Sequence, residues 1–218
     1  MNLRGALAGA LMAAVASVVA TVAPVRADGT PGDFDFYVLS LSWSPTYCAT
    51  DGSPDSSECR LGLGFIVHGF WPEYERGYPD YCRSNMPLRV RDETVASIID
   101  LMPSAGLINH EWRKHGVCSG LNQENYFKMV RAAYERVKIP PAFVQGFDRN
   151  RAAAPRVIES AFITLNPRMV ESGIAVTCDR NMLDEVRICL TKSLEFRRCP
   201  EVDRQSCRLS TIVIPAKR

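Results

Sequence analysis

Eight cysteines constrain this chain more than any other feature. They stand at Cys48, Cys59, Cys82, Cys118, Cys178, Cys189, Cys199 and Cys207, with none among the first 47 residues. No two are spaced Cys-x-x-Cys, and only three histidines exist to complete a zinc site. Paired disulfides are therefore the better reading than metal ligation. Spacing does not choose the partners, since eight cysteines allow on the order of 100 pairings. Disulfides persist in oxidising compartments, and the N-terminus suits such a destination. It carries an early Arg4, an apolar run from Ala6 to Ala23, and then Val-Arg-Ala27, with small residues where a signal peptidase reads. We expect a signal peptide over 1–27 and a mature exported chain, periplasmic or secreted, over 28–218. A membrane anchor is the competing reading; the Ala-rich run and its cleavage-like end favour the signal.

Cleavage after Ala27 removes Arg4 and Arg26 and leaves 24 basic residues against 24 acidic ones. A mature chain so balanced has no global basic field to announce a nucleic-acid partner, so any affinity for phosphate must be local. About 190 residues suit one domain that buries a full core. Phe36 to Trp43 reads as a strand and Leu63 to His68 as a buried one. Val95, Ile98, Ile99 and Met102 mark a helical stripe starting at Asp92. Asn122 is placed to cap a helix whose stripe is Tyr126, Phe127, Val130, Tyr134 and Val137, ended by Pro140-Pro141. A further helix is expected from near Pro155 to Pro167, and strands from Gly173 onward, the last being Thr211-Ile-Val-Ile214. The expected fold is α+β, a central and mostly antiparallel sheet packed with helices in a single disulfide-stabilised domain.

Chemistry concentrates in two places. His110-Glu-Trp-Arg-Lys-His-Gly-Val-Cys118 holds two of the three histidines with a carboxylate and an ammonium. On a helix, turning about 100° per residue, His110 and Lys114 share a face and Glu111 neighbours Lys114 and His115. His68 lies in Phe65-Ile-Val-His-Gly-Phe-Trp-Pro72, an apolar run closed by a turn signal. A strand ending at His68 and a helix carrying His110 bring both to one cleft. Two imidazoles, each ordinarily titrating near ~6.5, supply an acid and a base near neutral pH. His68 also reads as a hydrogen-bonded core residue and Trp71 as a core tryptophan. Against that, Gly-Phe-Trp-Pro sets a flat aromatic beside the imidazole, a platform on which a base can stack. The His-Glu opening is that of a zinc-protease helix, but the second histidine comes five residues on instead of four. That leaves the imidazoles about 140° apart on a helix and speaks against metal binding. An ammonium beside imidazoles and a carboxylate is suited instead to charge gathering on a phosphoryl group.

Together the two segments resemble the paired active-site segments of the ribonuclease T2 family, exported and largely base-nonspecific endoribonucleases. The resemblance extends to Trp43-Ser-Pro-Thr-Tyr-Cys48, to Gly77-Tyr-Pro-Asp-Tyr-Cys82 and to the placement of the cysteines, so it covers most of residues 34–210. It implies that His115 is the general base taking the ribose 2′-OH proton and His68 the general acid protonating the departing 5′ oxygen, the two roles being open to exchange. It further implies that His110 holds phosphate and that Glu111 and Lys114 stabilise the pentacovalent transition state. The products are then a 2′,3′-cyclic phosphate and later a 3′-phosphate, with no metal or cofactor. The implied substrate site is Trp71, with Glu73 and Tyr78 completing a base pocket. The implied disulfides are Cys48 with Cys59, Cys82 with Cys118, Cys178 with Cys207, and Cys189 with Cys199. The chain departs from many members at Phe70, where Leu is usual, and at Ser42, where Gln is usual in a second base pocket. The expected partner is RNA, the expected state a monomer without a membrane role once the signal is removed. A metal-dependent hydrolase and a catalytically silent, disulfide-rich binding protein are the alternatives from other classes.

Overall fold

The computed structural model describes residues 29–217, so the expected signal peptide lies outside the described residues. In chain order the first half supplies β1 (Phe36–Trp43), α1 (Ser44–Thr50), α2 (Ser57–Arg60), β2 (Phe65–Glu73), α3 (Asp92–Ala96), α4 (Ala105–Lys114) and α5 (Gln123–Arg136). The second half supplies α6 (Pro141–Gln145), β3 (Arg151–Ala153), α7 (Pro155–Leu165), β4 (Ile174–Asp179), β5 (Met182–Leu190), α8 (Pro200–Asp203) and β6 (Ile212–Ile214). The strands form one sheet in the order β2-β1-β5-β6-β3, with β4 also paired to β5. Every pairing is antiparallel except β5 with β6. The expected α+β class and mostly antiparallel sheet are both found.

β1 shows why the sheet is covered on both faces. Its residues alternate between two apolar environments, as a pleated strand requires. Tyr37, Leu39, Leu41 and Trp43 enter the main core with Ile108 and Trp112 of α4, Tyr126, Phe127 and Val130 of α5, and Phe162 of α7. Phe36 and Val38 enter a smaller cluster with Ala175, Cys189, Cys199 and Val202. Full burial of each large side chain contributes about 1.5–3 kcal/mol. The polar ends of the aromatics are satisfied: Trp43 Nε1 donates to the Pro215 carbonyl at 3.0 Å and Tyr126 Oη to that of Phe70 at 2.7 Å. Phe70, the departure from Leu, is fully buried and stacks on Tyr37 at 4.1 Å between ring centroids. Among the described residues no helix is long and apolar enough to cross a membrane.

Several expected boundaries move. The second strand does not stop at His68 but runs to Glu73; because β2 is an edge strand, Pro72 within it leaves no inner partner without a donor. The helix begun at Asp92 ends at Ala96. Beyond it the Ser97 hydroxyl bonds the Thr94 carbonyl and the Leu101 carbonyl accepts from Val67 N–H of β2, so the stripe continues as turns pinned to the sheet edge. Pro140-Pro141 ends α5 as expected, but Pro141 also opens α6, where a missing N–H costs nothing. The short α1, α2, α8 and β3 carry too few residues for a periodic signal.

The four disulfides pair Cys48–Cys59, Cys82–Cys118, Cys178–Cys207 and Cys189–Cys199, as the resemblance implied. The second ties the loop after β2 to the end of α4, where Tyr81 N–H also donates to the Lys114 carbonyl at 2.8 Å. It closes 36 residues of sequence separation, worth about 4 kcal/mol of denatured-chain entropy. Replacing Cys82 and Cys118 together by Ala is expected to cost activity at lower denaturant than it costs the fold. Coincident loss of activity and near-ultraviolet circular dichroism in a urea titration would contradict this.

Candidate active site

The site begins with an irregularity in β2. Ser40 of β1 pairs with Gly69 and Leu41 with Val67, so His68 stands unpaired at a β-bulge. In a regular strand residues three apart point to opposite faces. The extra residue resets that alternation: Val67 and Phe70 both stay in the main core while His68 and Trp71 both turn into one cleft. Glu73, two residues past Trp71, lines the same cleft. Gly69 between them is required by crowding, since a Cβ there would collide with Trp71 Nε1 and Glu111 Oε2.

α4 supplies the opposite wall. Ser104 caps it, accepting from Leu107 N–H at 3.3 Å, and Ile108 and Trp112 bury its inner face. The helix ends at Lys114, and His115 is its C-cap, with its N–H on the Glu111 carbonyl at 2.9 Å. The angular spacing of a continuous helix therefore stops one residue short of His115, which is buried, while His110 remains exposed. The cleft between these walls has a volume of about 550 Å³. All eight residues singled out in the sequence line it: His68, Trp71, Glu73, Tyr78, His110, Glu111, Lys114 and His115.

Their contacts interlock. Trp71 Nε1 donates to Glu111 Oε2 at 2.7 Å, a bond to a charged acceptor worth about 1.5–3 kcal/mol. Glu111 Oε1 lies 3.9 Å from His68 Nε2. The Trp71 ring meets His68 edge-on at 5.6 Å and His115 at 5.4 Å between centroids. Tyr78 stands 6.0 Å from His115, and Lys114 Nζ sits 6.0 Å over the Tyr78 ring. On the far side, His68 Nδ1 hydrogen-bonds Glu185 Oε1 of β5. Arg187 binds Glu185 Oε2 through Nε at 2.8 Å and lies over the Trp71 ring with its Cζ 5.3 Å from the centroid. Sequence reasoning missed Glu185 and Arg187. Their only local signal is the i, i+2 spacing that puts both on one face of a strand.

These surroundings pull the histidines apart. Burial, then the positive charges of Lys114, His110 and His68, depress the His115 imidazole to about 3, and its Nδ1 is buried without a hydrogen-bond partner. His110 is lowered as well, by burial and then Lys114 and Arg113. For His68 burial also pulls down, but the Glu185 bond and charge together with the Glu111 charge outweigh it and raise the imidazole above its ordinary value. Burial raises the Glu111 carboxyl and pushes Glu73 up to about 8, against the pull of Arg187 and with help from Glu201. One imidazole shifted toward its neutral form and one shifted toward its protonated form is the division that acid-base pairs need. Among the described residues no group of three or more His, Cys, Asp and Glu is arranged to hold a metal ion.

With the geometry in place, comparison with known proteins gives it a context. The model of the ribonuclease T2 family matches residues 34–199. A ribonuclease of Aeromonas hydrophila is 43% identical over 106 residues, which is 49% of this chain and 47% of that protein. The chain thus spans about half the length of that relative. Intracellular ribonuclease LX of Solanum lycopersicum is 31% identical over 78% of this chain and 79% of its own. Among solved structures, an RNase-related protein from Calystegia sepium superposes with a TM-score of 0.69 at 23% identity, over 85% of this chain and 98% of that one. This last likeness bears on the fold alone.

Proposed function

Because this chain belongs to the ribonuclease T2 family, we propose that it is an endoribonuclease that cuts single-stranded RNA by metal-free transphosphorylation. The observation that carries the reading is the placement of two imidazoles of opposite proton affinity in one cleft with Lys114 and His110. His115 takes the proton of the ribose 2′-OH, O2′ attacks phosphorus, the P–O5′ bond breaks, and His68 gives its proton to the departing O5′. The fragment left behind ends in a 2′,3′-cyclic phosphate. In a second step the roles reverse: His68, now neutral, takes a proton from water, and the protonated His115 returns one to O2′, giving a 3′-phosphate. Lys114 and His110 face the phosphoryl oxygens, and Glu111 is the carboxyl at that centre. The charge that builds up on phosphorus is met by an ammonium rather than by a metal ion.

Trp71 and Tyr78 form the base subsite, where stacking contributes about 1–3 kcal/mol per base and tolerates any sequence. Glu73, kept protonated near neutral pH by its burial, offers that base both a donor and an acceptor. The same reading includes export, consistent with four disulfides, removal of a signal peptide over 1–27, and action as a monomer. Since the nucleophile belongs to the substrate, a DNA strand containing one ribonucleotide should be cut only 3′ of that residue. Cleavage elsewhere in the DNA, or none at the ribonucleotide, would count against the proposal.

The pH dependence has a definite sign. His115 must be neutral, so kcat/KM rises with pH through an imidazole held far below ~6.5. His68 must be protonated, so kcat/KM falls with pH through an imidazole held above ~6.5. A broad maximum on the acidic side of neutrality, with its descending limb above ~6.5, is the expected profile for the free enzyme. A rate that climbs from pH 6 to pH 9 would be the wrong result.

A further inference from the structure

β5 brings a second layer of charge behind the cleft. Glu185 is 3% exposed, yet both its carboxylate oxygens are engaged. Oε1 meets His68 Nδ1, and Oε2 accepts from Arg187 Nε at 2.8 Å with Nη2 of the same guanidinium in ion-pair contact at 2.7 Å. Arg187 in turn donates from Nη1 to Gln205 Oε1 at 2.8 Å and covers Trp71. The Glu185 backbone N–H is held by Thr177 Oγ1 at 3.1 Å. A chain of contacts therefore runs from the His68 imidazole into the centre of the sheet and out to the segment after α8. Of this chain of contacts His68, Trp71, Arg187 and Gln205 line the cleft, while Glu185 stands behind it.

We propose that Glu185, clamped by Arg187, is a positioning residue that fixes the His68 ring with a proton on Nδ1 and Nε2 turned to the substrate. The inference rests on the reading of His68 as the acid of an RNA transphosphorylation. Two consequences follow from the geometry. With Nδ1–H committed to Glu185, the proton His68 delivers to O5′ comes from Nε2, and the neutral ring left behind keeps a bare Nε2 ready to take a proton from water. Ring flipping, which would present the wrong nitrogen, is opposed by a buried partner that is itself held by Arg187 and Thr177. The carboxylate stays ionised throughout: burial alone would push it up, but the bonds and charges of His68 and Arg187 hold it at about 2. A carboxylate so placed behind an imidazole serves to set its tautomer and steady its cation rather than to accept its proton.

Proton affinity at His68 is set by several neighbours. Glu185, Asp184 and Arg187 face it from β5, Glu111 from α4, Glu58 from α2, and the cationic forms of His110 and His115 from the other wall. Of these the Glu185 bond is the largest stabiliser of the cation. Glu185→Gln keeps the side-chain length and an oxygen for Arg187 while removing the charge. We expect it to lower kcat by about 100-fold with little change in KM, and to shift the descending limb of the pH profile down by about one unit. The ascending limb, which belongs to His115, should stay in place. Glu185→Asp should recover part of the rate.

The test that needs no variant and no RNA is nitrogen-15 NMR of the imidazoles in the wild-type protein, which has only three histidines to assign. At pH above its titration, a His68 ring protonated on Nδ1 is the expected result; a ring protonated on Nε2 overturns the proposal. In Glu185→Gln the His68 titration should fall by about one unit; an unchanged titration overturns it too. Because these readouts do not depend on catalysis, a wild-type protein that fails to cut RNA would defeat the proposed function and leave the placement of His68 still decided by the spectrum.

Discussion

His115→Ala and His68→Ala should each lower kcat/KM on RNA by about 10²–10⁴-fold, the span that one positioned acid or base supplies. The two losses separate when the leaving group changes. A ribonucleoside 3′-phosphodiester with an aryl leaving group departs as a phenolate and needs no proton. On that substrate His68→Ala should return to within about tenfold of the wild type, while His115→Ala, which still lacks a base, should stay as impaired as on RNA. The reverse pattern would exchange the two roles, and equal impairment of both on both substrates would show that neither acts on O5′. Stability should be less affected at His68, which is half-exposed and at the sheet edge, than at His115, which is 5% exposed.

Removing the ammonium is the second large effect. Lys114 is half-buried at the last turn of α4 with the Tyr78 ring beside its ammonium, so Lys114→Met preserves most of its packing. The loss is then electrostatic, about 10²–10³-fold in kcat, the cost of deleting one donor aimed at transition-state charge. A second signature accompanies it. After burial, the Lys114 charge is the chief cause holding the His115 imidazole down. Without that cation a proton binds His115 more readily, its imidazole moves up toward ~6.5, and the ascending limb of the pH profile moves to higher pH. A variant that lost rate with no movement of that limb would place Lys114 too far from His115 to act as described.

How much of this was legible in the sequence depended on how local the cause was. The strand at Phe36–Trp43 and the helix capped by Asn122 follow from short-range periodicity and a single cap, and both are found. His110 and Lys114 share α4 at i, i+4, as one turn of helix dictates. The bulge at His68 was not legible, because it is a property of the register between β1 and β2 rather than of either segment alone. Reading the strand as ending at His68 placed the residue correctly in the cleft for the wrong reason. Glu185 lies 117 residues from His68, on a strand whose charged residues look like an ordinary solvated face. Only the pairing of β1 with β5, Ser42 against Glu185 and Ser40 against Arg187, brings it beneath the histidine. The disulfide partners likewise came from resemblance, since spacing leaves the pairings open.

The most direct measurement is to incubate the purified protein in excess EDTA with a single-stranded RNA and with the same sequence as DNA, and to identify the ends produced. RNA alone should be cut, leaving 2′,3′-cyclic phosphate ends that convert to 3′-phosphates, with no 5′-phosphate on the downstream fragment. Cleavage that returns only when a divalent metal is restored, or that leaves 5′-phosphate and 3′-hydroxyl ends, would contradict transphosphorylation by His115 and His68.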